Sequence, residues 1–214
     1  MTSRPHRAGE ETSPGEEVMS RPASPEGVPA SELEVRNGVW LGTDGSPYSG
    51  RVYDVHDDGS VAWEGALEDG RWHGIFRRWY RDGSPNRLLR YEEGEQEGRQ
   101  VVWRPDGTPK WERTVRDGRD HGRVVRWHPN GNKEFEGEYV DGLKHGVVTT
   151  WYENGEKESE IRYERGEREG AWVQWYDNGQ KEAEGSLRDG RKAGVWRRWD
   201  RDGELDYERD FGGG

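Results

Sequence analysis

The chain contains no cysteine, so disulfides and thiolate metal sites are both excluded. That absence fits a reducing compartment. Aliphatic residues are scarce as well. Leu, Ile, Val and Phe together number 30 of 214, below the roughly 20% that separates globular from disordered compositions. No stretch approaches the ~18 apolar residues of a membrane span. The opening residues, MTSRPHRAGEETSPGEEV, lack the apolar core of a secretion signal. Both absences predict a cytoplasmic protein. Positive charge is in deficit: 33 Lys and Arg face 44 Asp and Glu, a net charge of −11. The excess speaks against nucleic-acid phosphate or an anionic membrane as partner, and favours a basic one.

What the chain does have is aromatic rings and glycine: 12 Trp, 9 Tyr and 32 Gly. A buried ring removes ~150–250 Å² from water. The rings therefore supply the apolar area that the aliphatics do not. The composition suits short strands joined by tight turns.

Glycine placement reveals the organisation. Gly70, Gly94, Gly118, Gly142, Gly166, Gly190 and Gly214 are each 24 residues apart. Gly74, Gly98, Gly122, Gly146, Gly170 and Gly194 form a second series, and Gly83, Gly107, Gly131, Gly155, Gly179 and Gly203 a third. Trp79, Trp103, Trp127, Trp151, Trp175 and Trp199 stand between them as a Trp column. Tyr91, Val115, Tyr139, Tyr163, Leu187 and Phe211 make a second apolar column. A degenerate unit precedes these repeats, keeping Gly50, Gly59 and Leu67 in register.

One unit can be read from residues 142–166. Val147 to Tyr152 is β-branched and aromatic, which favours a strand. Asn154-Gly155 is expected to supply the positive-φ pair of a tight hairpin turn. A more polar strand follows and ends at Tyr163. Helix is excluded, because each interior glycine costs a helix ~1 kcal/mol. The fold class is therefore all-β: an elongated, single-layer antiparallel meander of about seven 24-residue hairpins. Residues 1–32, with five prolines among Ser, Glu and Gly, are expected to form a disordered arm. Residues 33–69 form a cap and the degenerate first repeat, and 70–214 the six regular repeats.

The unit G-x-x-x-G-x-x-x-x-W-Y-x-N-G resembles the MORN-repeat variant of bacterial YwqK-like proteins, and Ser46-Pro47-Tyr48-Ser49-Gly50 resembles the way such domains begin. That resemblance implies an antitoxin or immunity component that neutralises a partner toxin. The alternative it implies is a scaffold, or a membrane-surface MORN-type protein without a toxin.

No residue set points to catalysis. His73, His121 and His145 share one slot, but equivalent residues in adjacent repeats lie two strands apart, ~9–10 Å, too far for one metal ion. Asp82, Asp106 and Asp202 sit at turns, where bonds to the backbone explain them. The chain is therefore read as non-enzymatic, with neither metal nor cofactor. Strand alternation places Ile75, Arg77 and Trp79 on one face and Phe76, Arg78 and Tyr80 on the other. It likewise separates Val173 and Trp175 from Trp172 and Tyr176. Rings flanked by Arg are typical of binding hot spots. Tyr80, Tyr152, Tyr176, Arg78 and Trp172 are the candidate partner contacts.

Overall fold

The structure is a computed structural model, and it describes residues 19–212. It is nearly all β, with 63% of residues in strands and no α-helix among the described residues. From Gly50–Val55 to Leu205–Asp210 the strands pair in chain order as a meander, with the two-residue Glu95–Gln96 off the path and paired to Pro85–Glu92 alone. Typical units are Leu143–Trp151 with Lys157–Glu164 and Glu167–Trp175 with Lys181–Arg188. The short pair Glu34–Arg36 and Val39–Leu41 forms a separate two-stranded sheet. Its Trp40 packs edge-on against Trp63 and Trp72, with ring centroids 6.4 and 5.6 Å away, and so caps the first end.

Two different turns alternate along the meander, and their positions correct the expectation of a positive-φ pair at Asn154-Gly155. That pair lies instead at Arg165-Gly166, with φ of 49° and 87°. The same geometry recurs at Asp69, Glu93, Asp117, Asp141 and Asp189, each followed by glycine. A two-residue turn with both φ positive matches the twist of the strands it joins. At the Asn154 turn only Gly155 is left-handed. There Gly155 N–H donates to Tyr152 O and Tyr152 N–H to Glu156 O, both at 2.9 Å. This closes a three-residue loop with its glycine at the left-handed position. Asn154 is suited to the loop by its side chain rather than by φ: Oδ1 accepts from Glu156 N–H at 3.0 Å, and Nδ2 donates to Asp177 O at 2.5 Å.

The second glycine series lies inside strands, not in turns. Gly146 and its equivalents have φ between 61° and 91°, and the pairing register shifts beside them, as between Glu136 and Glu138 opposite Thr149 and His145. These are bulges, which bend the strand and increase its twist.

A core exists on each face despite the single layer. Val124, Phe135, Val148 and Tyr163 form a buried cluster, with Tyr139 and Ile161 packed against it. Val101 and Val125 are equally buried on the opposite face. Part of the expected N-terminal arm is also structured. Residues 1–18 lie outside the described residues, but Val28–Pro29 pairs in parallel with Val52 and Tyr53 at the first sheet edge. Farther back, Met19 O accepts the Trp79 indole N–H at 2.8 Å. Residues 19–29 of the arm expected to be disordered are thus docked on the sheet, and Ala30–Glu32 form a 3-10 turn.

Candidate functional site

Cross-strand register divides the side chains into two faces. On the first, the column face, the Trp column runs beside a ladder of opposite charges. Arg99 meets Glu112 at 2.7 Å, Arg123 meets Glu136 at 2.7 Å, Lys157 meets Glu160 at 2.6 Å and Lys181 meets Glu184 at 2.8 Å. These pairs are only partly shielded from solvent, and pairs of this kind contribute ~0–1 kcal/mol, so the ladder neutralises charge more than it stabilises. Burial works to raise the Glu136 carboxyl, but hydrogen bonds from Lys133 and Arg123 outweigh it and hold the group below its ordinary range. A hydrogen bond from Lys181 lowers Glu184 in the same way.

The indoles of this column do not stack on one another. Lysines lie over the later ones instead, Lys133 over Trp151 at 5.4 Å and Lys157 over Trp175 at 5.6 Å. Only Trp79 has a partner for its N–H among the described residues. The N–H groups of Trp103, Trp127, Trp151, Trp175 and Trp199 meet no acceptor there, and none is sealed from solvent. Each remains a donor available to an incoming acceptor.

The second, or groove, face carries a concavity of about 480 Å³. Its floor is Phe135, Val148, Ile161, Tyr163 and Trp172, while Arg126, Lys144 and Arg168 stand on its rim. Lys144 Nζ lies 5.4 Å from the Phe135 ring centre and 5.0 Å from that of Tyr163. Trp172 packs on Trp196 with centroids 5.1 Å apart.

The candidate contacts are not gathered into one site. Trp172 lies in the groove floor. Arg78 is exposed on the same face, in register with Trp63 and Arg87, and it does not line the groove. Tyr80, Tyr152 and Tyr176 follow the strand ends, where each hydroxyl donates to the backbone of the next repeat. The acceptors are Trp103 O at 2.9 Å, Trp175 O at 2.8 Å and Trp199 O at 3.0 Å. Arg104 and His128 occupy the same slot and reach Trp127 O and Trp151 O. The slot is thus a staple between repeats. Burial, followed by the nearby Glu158 and Glu182, pushes the Tyr152 hydroxyl above its ordinary range and keeps it a donor.

The histidine slot has a comparable structural role. Glu97 and Glu169 accept the backbone N–H of Asp117 and Asp189 at 2.9 and 2.8 Å. His121 Nδ1 lies 3.4 Å from the Asp141 backbone nitrogen in the same arrangement. At these three two-residue turns the slot accepts the first N–H. His73 instead lies 3.2 Å from Glu68. Among the described residues no three His, Asp or Glu side chains are grouped to hold a metal.

Three tandem segments, residues 120–141, 144–165 and 168–189, match the family model described as MORN repeat variant. No curated protein matches the chain. The matched segments cover the central repeats, including the groove and Trp127, Trp151 and Trp175.

Proposed function

From three tandem MORN-variant units and a column of vacant indole donors, we propose that this chain is a non-enzymatic protein-binding repeat protein. The observation that carries the reading is the Trp column. Five N–H donors at one-repeat spacing share a face, with no acceptor among the described residues. A regularly spaced row of half-buried rings suits an extended protein surface better than a small substrate. The net charge of −11 favours a basic partner, whose association would be speeded by opposite charge.

The finer reading is an antitoxin or immunity component that covers the working surface of a toxin encoded beside it. Its support is the resemblance of the repeat unit. The rival is a scaffold, and the staples between repeats would serve either role. No helix among the described residues is long and apolar enough to cross a membrane, and a cytoplasmic site of action is part of this proposal. The deciding experiment expresses the neighbouring gene's product alone and together with this chain. Growth arrest relieved by co-expression, with the two proteins forming a complex that weakens as added salt shortens the Debye length below ~8–10 Å, supports the antitoxin reading. A neighbour that causes no arrest, or whose arrest is not relieved, leaves the scaffold.

A further inference from the structure

One segment of the chain already occupies the column face. Residues 19–29, MSRPASPEGVP, cross the strands from Trp79 toward the first sheet edge and run beside a strand only at their end. Val28 and Pro29 pair with Val52 and Tyr53, and Glu26 forms an ion pair with Arg51. Arg21 reaches the Asp82-Gly83 turn, donating to Arg81 O at 3.2 Å. Met19 O then takes the Trp79 indole N–H. Trp79 is only 1% exposed as a result, whereas the other column indoles are half-buried. The seat has two parts: an indole N–H that receives a main-chain carbonyl, and a turn glycine over which a cation lies.

The repeats differ in whether this seat is filled. A Cβ built on Gly83 would lie 3.3 Å from the Arg21 guanidinium carbon. At Gly155, Gly179 and Gly203 the same space is taken by Asn132, Glu156 and Gln180, at 3.2, 3.1 and 2.8 Å. Each comes from the preceding hairpin, 23 residues earlier. The corresponding residues before Gly107 and Gly131 are the short Ser84 and Thr108, and no described residue lies within 4 Å of either glycine's open side. The lysines that cover Trp151, Trp175 and Trp199 likewise have no counterpart over Trp103 or Trp127. Among the described residues, two consecutive seats immediately beyond the docked segment are therefore open in both parts.

Resting on the binding function proposed above, we propose that Trp103–Gly107 and Trp127–Gly131 form a docking track for an extended, proline-containing segment of a partner protein that carries an Arg or Lys at the position of Arg21. The docked residues 19–29 show its mode. Proline keeps such a segment extended without spending backbone donors, so its carbonyls are free for the indoles. A basic side chain of the segment lies over Gly107, beside Pro105 O and the Asp106 carboxylate; at Gly131 the equivalent neighbours are Pro129 O and the uncharged Asn130. A hydrogen bond from the Thr108 hydroxyl holds Asp106 below its ordinary pKa range, so this carboxylate stays charged near neutral pH.

The test uses full-length protein with ¹⁵N-labelled tryptophan and a synthetic peptide of sequence MSRPASPEGVP. The expected result is a saturable shift of the Trp103 and Trp127 indole resonances, with smaller movement at Trp151, Trp175 and Trp199. An Arg21→Glu peptide should bind about tenfold more weakly, because it places like charge beside Asp106. The double variant Ser84→Gln and Thr108→Gln fills both seats from within, as Gln180 does at Gly203, and should abolish the shifts while the rest of the spectrum stays folded. The proposal is overturned by no saturable shift at millimolar peptide, by an equal effect from a scrambled peptide, or by movement of Trp79 alone through exchange with the resident segment. It is also overturned if Trp103 and Trp127 are protected before peptide is added, which would assign the seats to the chain's own residues 1–18 or to a second copy. A protein partner that still binds when the peptide fails would leave the general binding function standing and remove only this track.

Discussion

Arg165 holds a φ of 49° in a conformation that side-chain-bearing residues avoid at a cost of ~1–2 kcal/mol, while Tyr152 spends its hydroxyl on the next repeat's backbone. At this scale the molecule consists of small local bonds repeated at a fixed spacing. Tyr152→Phe should lower stability by about 0.5–1.5 kcal/mol, the usual net value of one hydrogen bond, as read in denaturant melts. Acid response follows from the carboxylates. Hydrogen bonds from Ser84 and Thr108 lower Asp82 and Asp106, and cations lower Glu136 and Glu184 despite partial burial. A carboxyl depressed in the folded state stabilises it above its ordinary pKa and loses that contribution as pH falls through the lowered value. Stability should hold from neutral pH to the ordinary carboxylate range, near 3.8 for Asp and 4.5 for Glu, and decline below it. Lys181→Met should make that decline shallower in melts followed across pH, because Glu184 then loses its first cation.

The hairpin is the next scale, and much of it was legible in the sequence. Repeated glycines and Asn/Asp-Gly pairs marked where strands end, since few other residues tolerate those turns. Which turn was which could not be read so easily. Asn154-Gly155 has the composition of a two-residue turn, yet its side chain bonds forward to Glu156 and across to Asp177, and the loop is wider. Conversely, Arg165 and Glu93 give no compositional hint of a positive φ. The roles of Tyr80, Tyr152 and Tyr176 were also hidden, because alternation gives a face and not a hydrogen-bond acceptor 23 residues away. A further set of glycines falls outside the three regular series. Gly65, Gly137 and Gly185 lie beneath large side chains of the next strand, and a Cβ on Gly185 would come within 2.2 Å of the Trp196 ring. The signal was present as glycine facing Phe76, Val148 and Trp196 eleven residues on. Gly185→Ala should therefore cost roughly 1–3 kcal/mol by overpacking, although its backbone does not have a positive φ. An unchanged melting midpoint would show that Trp196 moves aside freely.

Across the whole molecule, each hairpin touches chiefly its neighbours, as in other repeat proteins whose stability sums local and nearest-neighbour terms. Trp127→Ala should then lower stability more than Trp199→Ala, since Trp127 has repeats on both sides and Trp199 lies in the last described hairpin. Equal or reversed losses would argue against that coupling. The binding surface rests on the same regularity, because one donor per repeat makes a row only if the repeats stay in register. Proton exchange of the indole N–H groups, read by NMR on full-length protein with ¹⁵N-labelled tryptophan, tests that claim most directly. Trp79, bonded to Met19 O, and Trp196, bonded to Ser186 O at 3.0 Å, should exchange slowly, while Trp103, Trp127, Trp151, Trp175 and Trp199 exchange fast. Protection of those five equal to that of Trp79 would mean that the column has no vacant donors, and would contradict the binding function built on it.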